Sequence, residues 1–81
     1  MNKEYKKVSC DFYDELEALA TMHKNCEIEF WNENAVKIIT HDYIRDIYTT
    51  EGIEYLETRK GLKIRLDSLI KVDGKLPSNQ C

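Results

Sequence analysis

The chain has 81 residues, 42% of them hydrophobic, and a formal net charge of −3, which leaves room for one domain with a thin core and excludes an intrinsically disordered polymer. No apolar run approaches the roughly 18 residues of a membrane-spanning helix, and the polar start from Met1 to Val8 does not read as a signal peptide. The charge is uneven: seven acidic residues and one lysine fall between positions 11 and 35, a local charge of −6, whereas residues 1–10 carry +2 and residues 36–81 carry +1.

Residues 1–8 read as an extended arm. A helix is predicted over 9–24, because Phe12, Leu16, Leu19 and His23 recur with the spacing of one helical face. Ser9 or Asp11 can cap its start through a side-chain oxygen. Asp11, Asp14 and Glu15 fall in or near the first turn, where the helix dipole favours negative charge, and Lys24 and Asn25 close the helix. On a helical wheel Asp14, Glu17 and Thr21 point away from the apolar face. Asp11 lies on one flank, Glu15 on the other, and Tyr13 at the border beside Glu17.

The period then changes to two. Cys26, Ile28 and Phe30 alternate with Glu27, Glu29 and Trp31, the pattern of a half-buried strand. Asn32-Glu33-Asn34 is a turn. Ala35 to Thr40 is a more apolar strand and is expected to be central. His41 to Tyr48 fits a helical turn or a strand, and Thr49 to Gly52 is a loop. Ile53 to Thr58 is a strand, Arg59-Lys60-Gly61 a tight turn, and Leu62, Ile64 and Leu66 alternate with charged partners, together a hairpin signature. Ile70 to Val72 is a last short strand. Residues 1–75 thus form one domain with strands across 26–72, and 76–81 form a flexible tail. The predicted class is α+β, mostly β: an N-terminal helix, then about five strands in a meander, bent into a small antiparallel sheet or barrel with the helix over one opening.

No catalytic constellation is visible, and the chain is not read as an enzyme. The three glycines are far apart and form no phosphate-binding loop. His23 sits on the apolar helix face as a packed or capping residue, and His41 is isolated. Asp14 and Glu17 are paired carboxylates on an exposed face, where water keeps both ionised. The cysteines at 10, 26 and 81 match no zinc spacing. They are expected to be reduced thiols of a cytoplasmic protein, with Cys10 and Cys26 in the core and Cys81 solvated. No cofactor or metal is implied. One alternative is an RNA-binding module that uses Arg59, Lys60, Lys63 and Arg65 with the aromatics Trp31, Tyr43, Tyr48 and Tyr55. The acidic helix argues against direct nucleic-acid binding, because counterion release needs a basic surface.

The opening Met1-Asn2, Tyr5 and Val8-x-Cys10-Asp11-x-Tyr13-Asp14-x-Leu16-Glu17 resembles the Rof (YaeO) family, bacterial inhibitors of the transcription termination factor Rho. Asp42, Glu54-Tyr55-Leu56 and Arg65-Leu66-Asp67-x-x-Ile70 are similar to later landmarks of the family, in the same order, so the likeness runs to about Val72. Lys7 stands where the family has a proline, and the segment from Tyr43 to Gly52 is longer and different. The resemblance implies an Sm-like fold. It implies a partner, the OB-type N-terminal RNA-binding domain of the Rho hexamer. The free chain is expected to be a monomer that does not itself contact nucleic acid. The resemblance also implies antitermination by RNA mimicry, with Asp11, Tyr13, Asp14, Glu17 and Arg45 as the partner-binding residues.

Overall fold

Ser9 starts the helix. In a computed structural model, which describes residues 8–77, its Oγ accepts a hydrogen bond from the Phe12 N–H at 3.1 Å, so Ser9 and not Asp11 is the cap. The helix α1 runs over Cys10–Met22 and buries Phe12, Leu16 and Leu19. His23 ends it in the left-handed region at φ 51. The His23 N–H donates to Ala20 O at 3.1 Å and the Lys24 N–H to Leu19 O at 3.3 Å, which is the Schellman pattern. His23 is therefore a cap. It has left the helical spiral, so it is exposed and not part of the apolar stripe. Its ring instead meets Tyr43 edge-on at 5.0 Å.

Six strands follow: β1 Cys26–Trp31, β2 Lys37–Asp42, β3 Ile44–Thr50, β4 Ile53–Thr58, β5 Lys63–Arg65 and β6 Leu69–Val72, with a 3-10 turn at Leu66–Ser68 before β6. They form two antiparallel three-stranded sheets, ordered β2-β1-β6 and β3-β4-β5. The chain is α+β and mostly β, with one helix packed on two small sheets. The described strands close no barrel, and they are not a simple meander, because β6 returns to pair with β1.

Three strand expectations change. The ambiguous segment 41–48 is strand, ending β2 and forming most of β3. The segment expected to be central, β2, is an edge strand with Ile39 51% exposed. Its apolar composition reported strand propensity and not position, since burial depends on what packs outside it. Glu29, on the polar side of the β1 alternation, is buried beside Lys37 at 3.4 Å.

Local chemistry explains the turns. Glu51 and Gly52 both have positive φ, at 52 and 79, and Thr50 pairs with Ile53 across them. This is a two-residue type I′ hairpin, whose twist matches that of its strands. Between β4 and β5 the buried Thr58 accepts from the Gly61 N–H on its carbonyl at 2.9 Å and from the Leu62 N–H on its Oγ1 at 3.2 Å.

Phe12, Leu16 and Leu19 of α1 join Cys26, Ile28, Phe30, Ile44, Leu56, Ile64, Leu66, Leu69 and Val72 in one core, with Val8, Tyr13, Ala20, Ile38 and Ile47 packed against it. Cys26 is a free, buried thiol, as expected. Cys10 is neither reduced nor in the core: it is exposed and disulfide-bonded. As the first residue of α1 it lies off the apolar stripe, and its oxidation removes the argument that reduced cysteines made for a cytoplasmic location. The expected arm, apart from Val8, and positions 78–81 of the expected tail lie outside the described residues.

Candidate functional site

The acidic face of α1 is solvent-facing. Asp11, Asp14 and Glu17 are exposed, and among the described residues none of the three has an ion-pair partner. Glu15, expected on the flank opposite Asp11, is one helical turn from it and so on the same flank; its carboxylate lies 3.8 Å from Lys75. Tyr13 is half-buried and packs on the core. Its phenol is pushed above its ordinary pKa by burial first, then by the negative charges of Glu17, Glu54 and Asp46. The hydroxyl thus stays protonated at neutral pH and keeps its proton to donate.

Those charges show what the fold adds. Helix α1 packs against β3, which brings Asp46 of β3 and Glu54 of β4 to the Tyr13 side of the helix. The acidic face therefore extends from the helix onto the β3–β4 hairpin. Sequence reasoning missed Asp46 and Glu54 as site residues. Asp46 sat in the ambiguous segment, Glu54 stood only as a landmark, and nothing in linear order places either beside Tyr13.

Arg45 lies on β3, where its guanidinium is hydrogen-bonded to the Glu57 carboxylate. A register shift between Ile44 and Asp46 makes Arg45 the bulged residue, and a bulge re-aims a side chain. Arg45 is thus held in a pair and half exposed, not extended as a free cation.

Two of the basic residues of the alternative reading are engaged by carboxylates. Arg59 lies 3.5 Å from the Asp42 carboxylate and over the Tyr43 ring at 5.8 Å. Arg65 donates twice to Asp67, at 2.9 and 2.7 Å. Lys63 and Arg65 do line a groove of about 800 Å3 with Trp31 and Tyr55, but Glu33 and Asp67 line it too. The groove therefore holds mixed aromatic walls and near-balanced charge. Tyr55 is also stacked on Tyr48 at 5.5 Å.

Asp42 fixes the corner between the two sheets. It ends β2, is 2% exposed, and accepts from the Tyr43 N–H at 2.8 Å and the Lys60 N–H at 3.1 Å. Burial opposes its charge, yet the two backbone donors and Arg59 outweigh burial and hold the carboxyl below its ordinary pKa. The next carbonyl, Tyr43 O, accepts from the Arg59 N–H at 3.1 Å. The corner thereby ties β2 and β3 to the β4–β5 turn and sets where β3 lies under α1.

No family model, curated protein or solved structure matches the chain. Among the described residues no group of three or more His, Cys, Asp or Glu side chains is placed to hold a metal ion, and no helix is long and apolar enough to cross a membrane.

Proposed function

We propose that this chain inhibits Rho-dependent transcription termination by docking its acidic face on the RNA-binding N-terminal domain of Rho. The observation that carries this reading is the convergence of the exposed carboxylates of Glu17 on α1 and Asp46 on β3 on the half-buried Tyr13, continued outward along the helix by the exposed Asp14 and Asp11. A groove that tracks RNA is basic and lined with stacking surfaces. Carboxylates held on a rigid helix and hairpin offer such a groove negative charge in place of phosphate. Tyr13 offers a ring where a base would stack and a hydroxyl proton for a hydrogen bond. Held on folded elements, the face costs less entropy to bind than flexible RNA does. The residue-level resemblance to the Rof family, running to about Val72, supplies the partner. An Sm-like relationship and a cytoplasmic location belong to the same proposal. Rho binding here involves no catalysis.

The test is competition for Rho between this chain and single-stranded RNA. The parent protein should displace RNA, with an affinity that falls as salt rises. The double variant Asp14→Lys with Glu17→Lys should lose at least about 100-fold in affinity, since each reversal replaces an attraction with a repulsion. Both side chains are exposed, so the fold should survive. If the folded double variant still suppresses termination, the acidic-face reading is wrong.

The groove of Trp31, Tyr55, Lys63 and Arg65 keeps a second reading open, a module that binds RNA directly. Filter binding of single-stranded RNA to the isolated chain separates the two. Tight binding that is lost in Lys63→Glu favours the module, and no binding favours the inhibitor.

A further inference from the structure

Among the described residues, strand β2 pairs with β1 alone. Two hydrogen bonds identify the backbone groups that it leaves over. The Asn32 N–H donates to Val36 O at 3.0 Å across the β1–β2 hairpin, and the Asp73 N–H donates to Glu27 O at 2.9 Å on the opposite side of β1. Even-numbered residues of β1 therefore bond toward β2 and odd-numbered ones toward β6. By antiparallel alternation, Ile38, Thr40 and Asp42 bond back to β1. Lys37, Ile39 and His41 turn their N–H and C=O groups to the open edge.

That edge has few of the devices that blunt edges. It holds no proline, and no bulge interrupts its register with β1. The same hairpin exposes Ile39, Val36 and Trp31, each to about half. The remaining edges are less available. Strand β5 has only three residues, β3 lies against α1, and Val72 of β6 is engaged by Lys75.

We propose that β2 pairs antiparallel with β2 of a second copy of the chain, about a two-fold axis through Ile39, joining two three-stranded sheets into one. The occupant follows from self-complementarity. An isologous contact places the same patch on both sides, and the displayed set 37, 39, 41 maps onto itself when reversed. Ile39 meets Ile39, and each displayed residue donates and accepts one backbone hydrogen bond. Lys37 comes to lie beside His41 of the second copy, which carries Glu27 at 3.7 Å, so an ammonium faces an acid-bearing pair. The hairpin's own charges are matched, with Glu29 between Lys37 and Lys71. Two acidic helix faces repel each other, whereas two β2 edges do not. The pairing differs from the monomer expected of the free chain. The contact has three paired residues a side, far fewer than the roughly 20–30 a side of a standard interface, so it is a weak association to be sought up to millimolar concentration. It leaves the acidic face uncovered and is independent of the proposed function.

Sedimentation velocity of the full chain from micromolar to millimolar concentration, combined with amide hydrogen exchange, tests the pairing without Rho. Dimer should grow with concentration, and the Lys37, Ile39 and His41 amides should gain protection in parallel. Ile39→Pro removes an outward N–H and no bond to β1, a position where an edge strand tolerates proline, and should abolish the dimer. Ile39→Lys sets like charges across the axis and should weaken it at least about tenfold, which serves if the proline variant does not fold. A chain that stays monomeric throughout the range overturns the proposal. So does a dimer that survives both folded variants, or one whose protection appears on α1.

Discussion

Replacing Asp42 tests the corner that joins the sheets. The carboxylate is 2% exposed and accepts from two backbone N–H groups, at 2.8 and 3.1 Å. Hydrogen bonds to a charged group contribute about 1.5–3 kcal/mol each. The Arg59 pair adds less than about 1 kcal/mol, because the Arg59 side chain is 58% exposed and solvent screens it. Asp42→Asn keeps one acceptor oxygen and turns an NH2 toward the other donor, so it should cost about 2–3 kcal/mol. Asp42→Ala leaves both donors without an acceptor and should cost about 3–4 kcal/mol. A chain of this length has only about 4–12 kcal/mol in total, so the Asn variant should melt at least about 8 °C lower. Urea unfolding at pH 7, followed by circular dichroism, should show a lower midpoint with an unchanged slope. The folded-state pKa is depressed, so this stabilisation is present above the unfolded carboxyl pKa, near 3.8, and is lost as pH falls through the folded value. The gap between parent and Asn variant should therefore be full at pH 7 and close below about pH 4. An Asn variant within about 0.5 kcal/mol of the parent at pH 7, or a gap that does not change with pH, refutes the account.

Other outcomes follow from single contacts. Ser9→Ala removes the acceptor for the Phe12 N–H and should cost about 1 kcal/mol in chemical denaturation. Glu51→Asn places the residue preferred for positive φ in the type I′ turn and should raise stability by roughly 0.5 kcal/mol, while Gly52→Ala should lower it by about 1 kcal/mol; unchanged urea midpoints in both would contradict the turn assignment. Burial first, and then Asp73, push the Cys26 thiol above its ordinary value, as burial and the acidic neighbours do for Tyr13. Both raised values mean stability that is fully present below the unfolded pKa and lost as pH rises through the folded one. Melting temperature should thus fall above about pH 9, and Cys26→Ala, although less stable at pH 7, should lose less between pH 8 and pH 11 than the parent.

What could be read from the sequence was what local physics controls. Helix α1 was predicted to within two residues at either end, because its apolar spacing and Ser9 are local signals, and Phe12, Leu16 and Leu19 occupy the core. Strands β1 and β4 match their predicted spans, 26–31 and 53–58, since alternation and the turns that follow them are local too. Segment 41–48 was ambiguous because its apolar spacing fits both periods. Its strand state is decided by pairing with β4, a partner that the linear pattern does not name.

For the candidate site, the sequence determined that Asp14 and Glu17 face outward and that Tyr13 borders them. A helical wheel follows from the backbone alone, and no partner is needed to turn those carboxylates to solvent. Tertiary structure decided the rest. Packing of α1 on β3 brought Asp46 and Glu54 to Tyr13, and ion pairs with Glu57, Asp42 and Asp67 committed Arg45, Arg59 and Arg65. It also left β2 on an edge. Charge interactions act through space and strand order follows from long-range pairing, so neither is encoded in the local period that makes a helix or a strand legible.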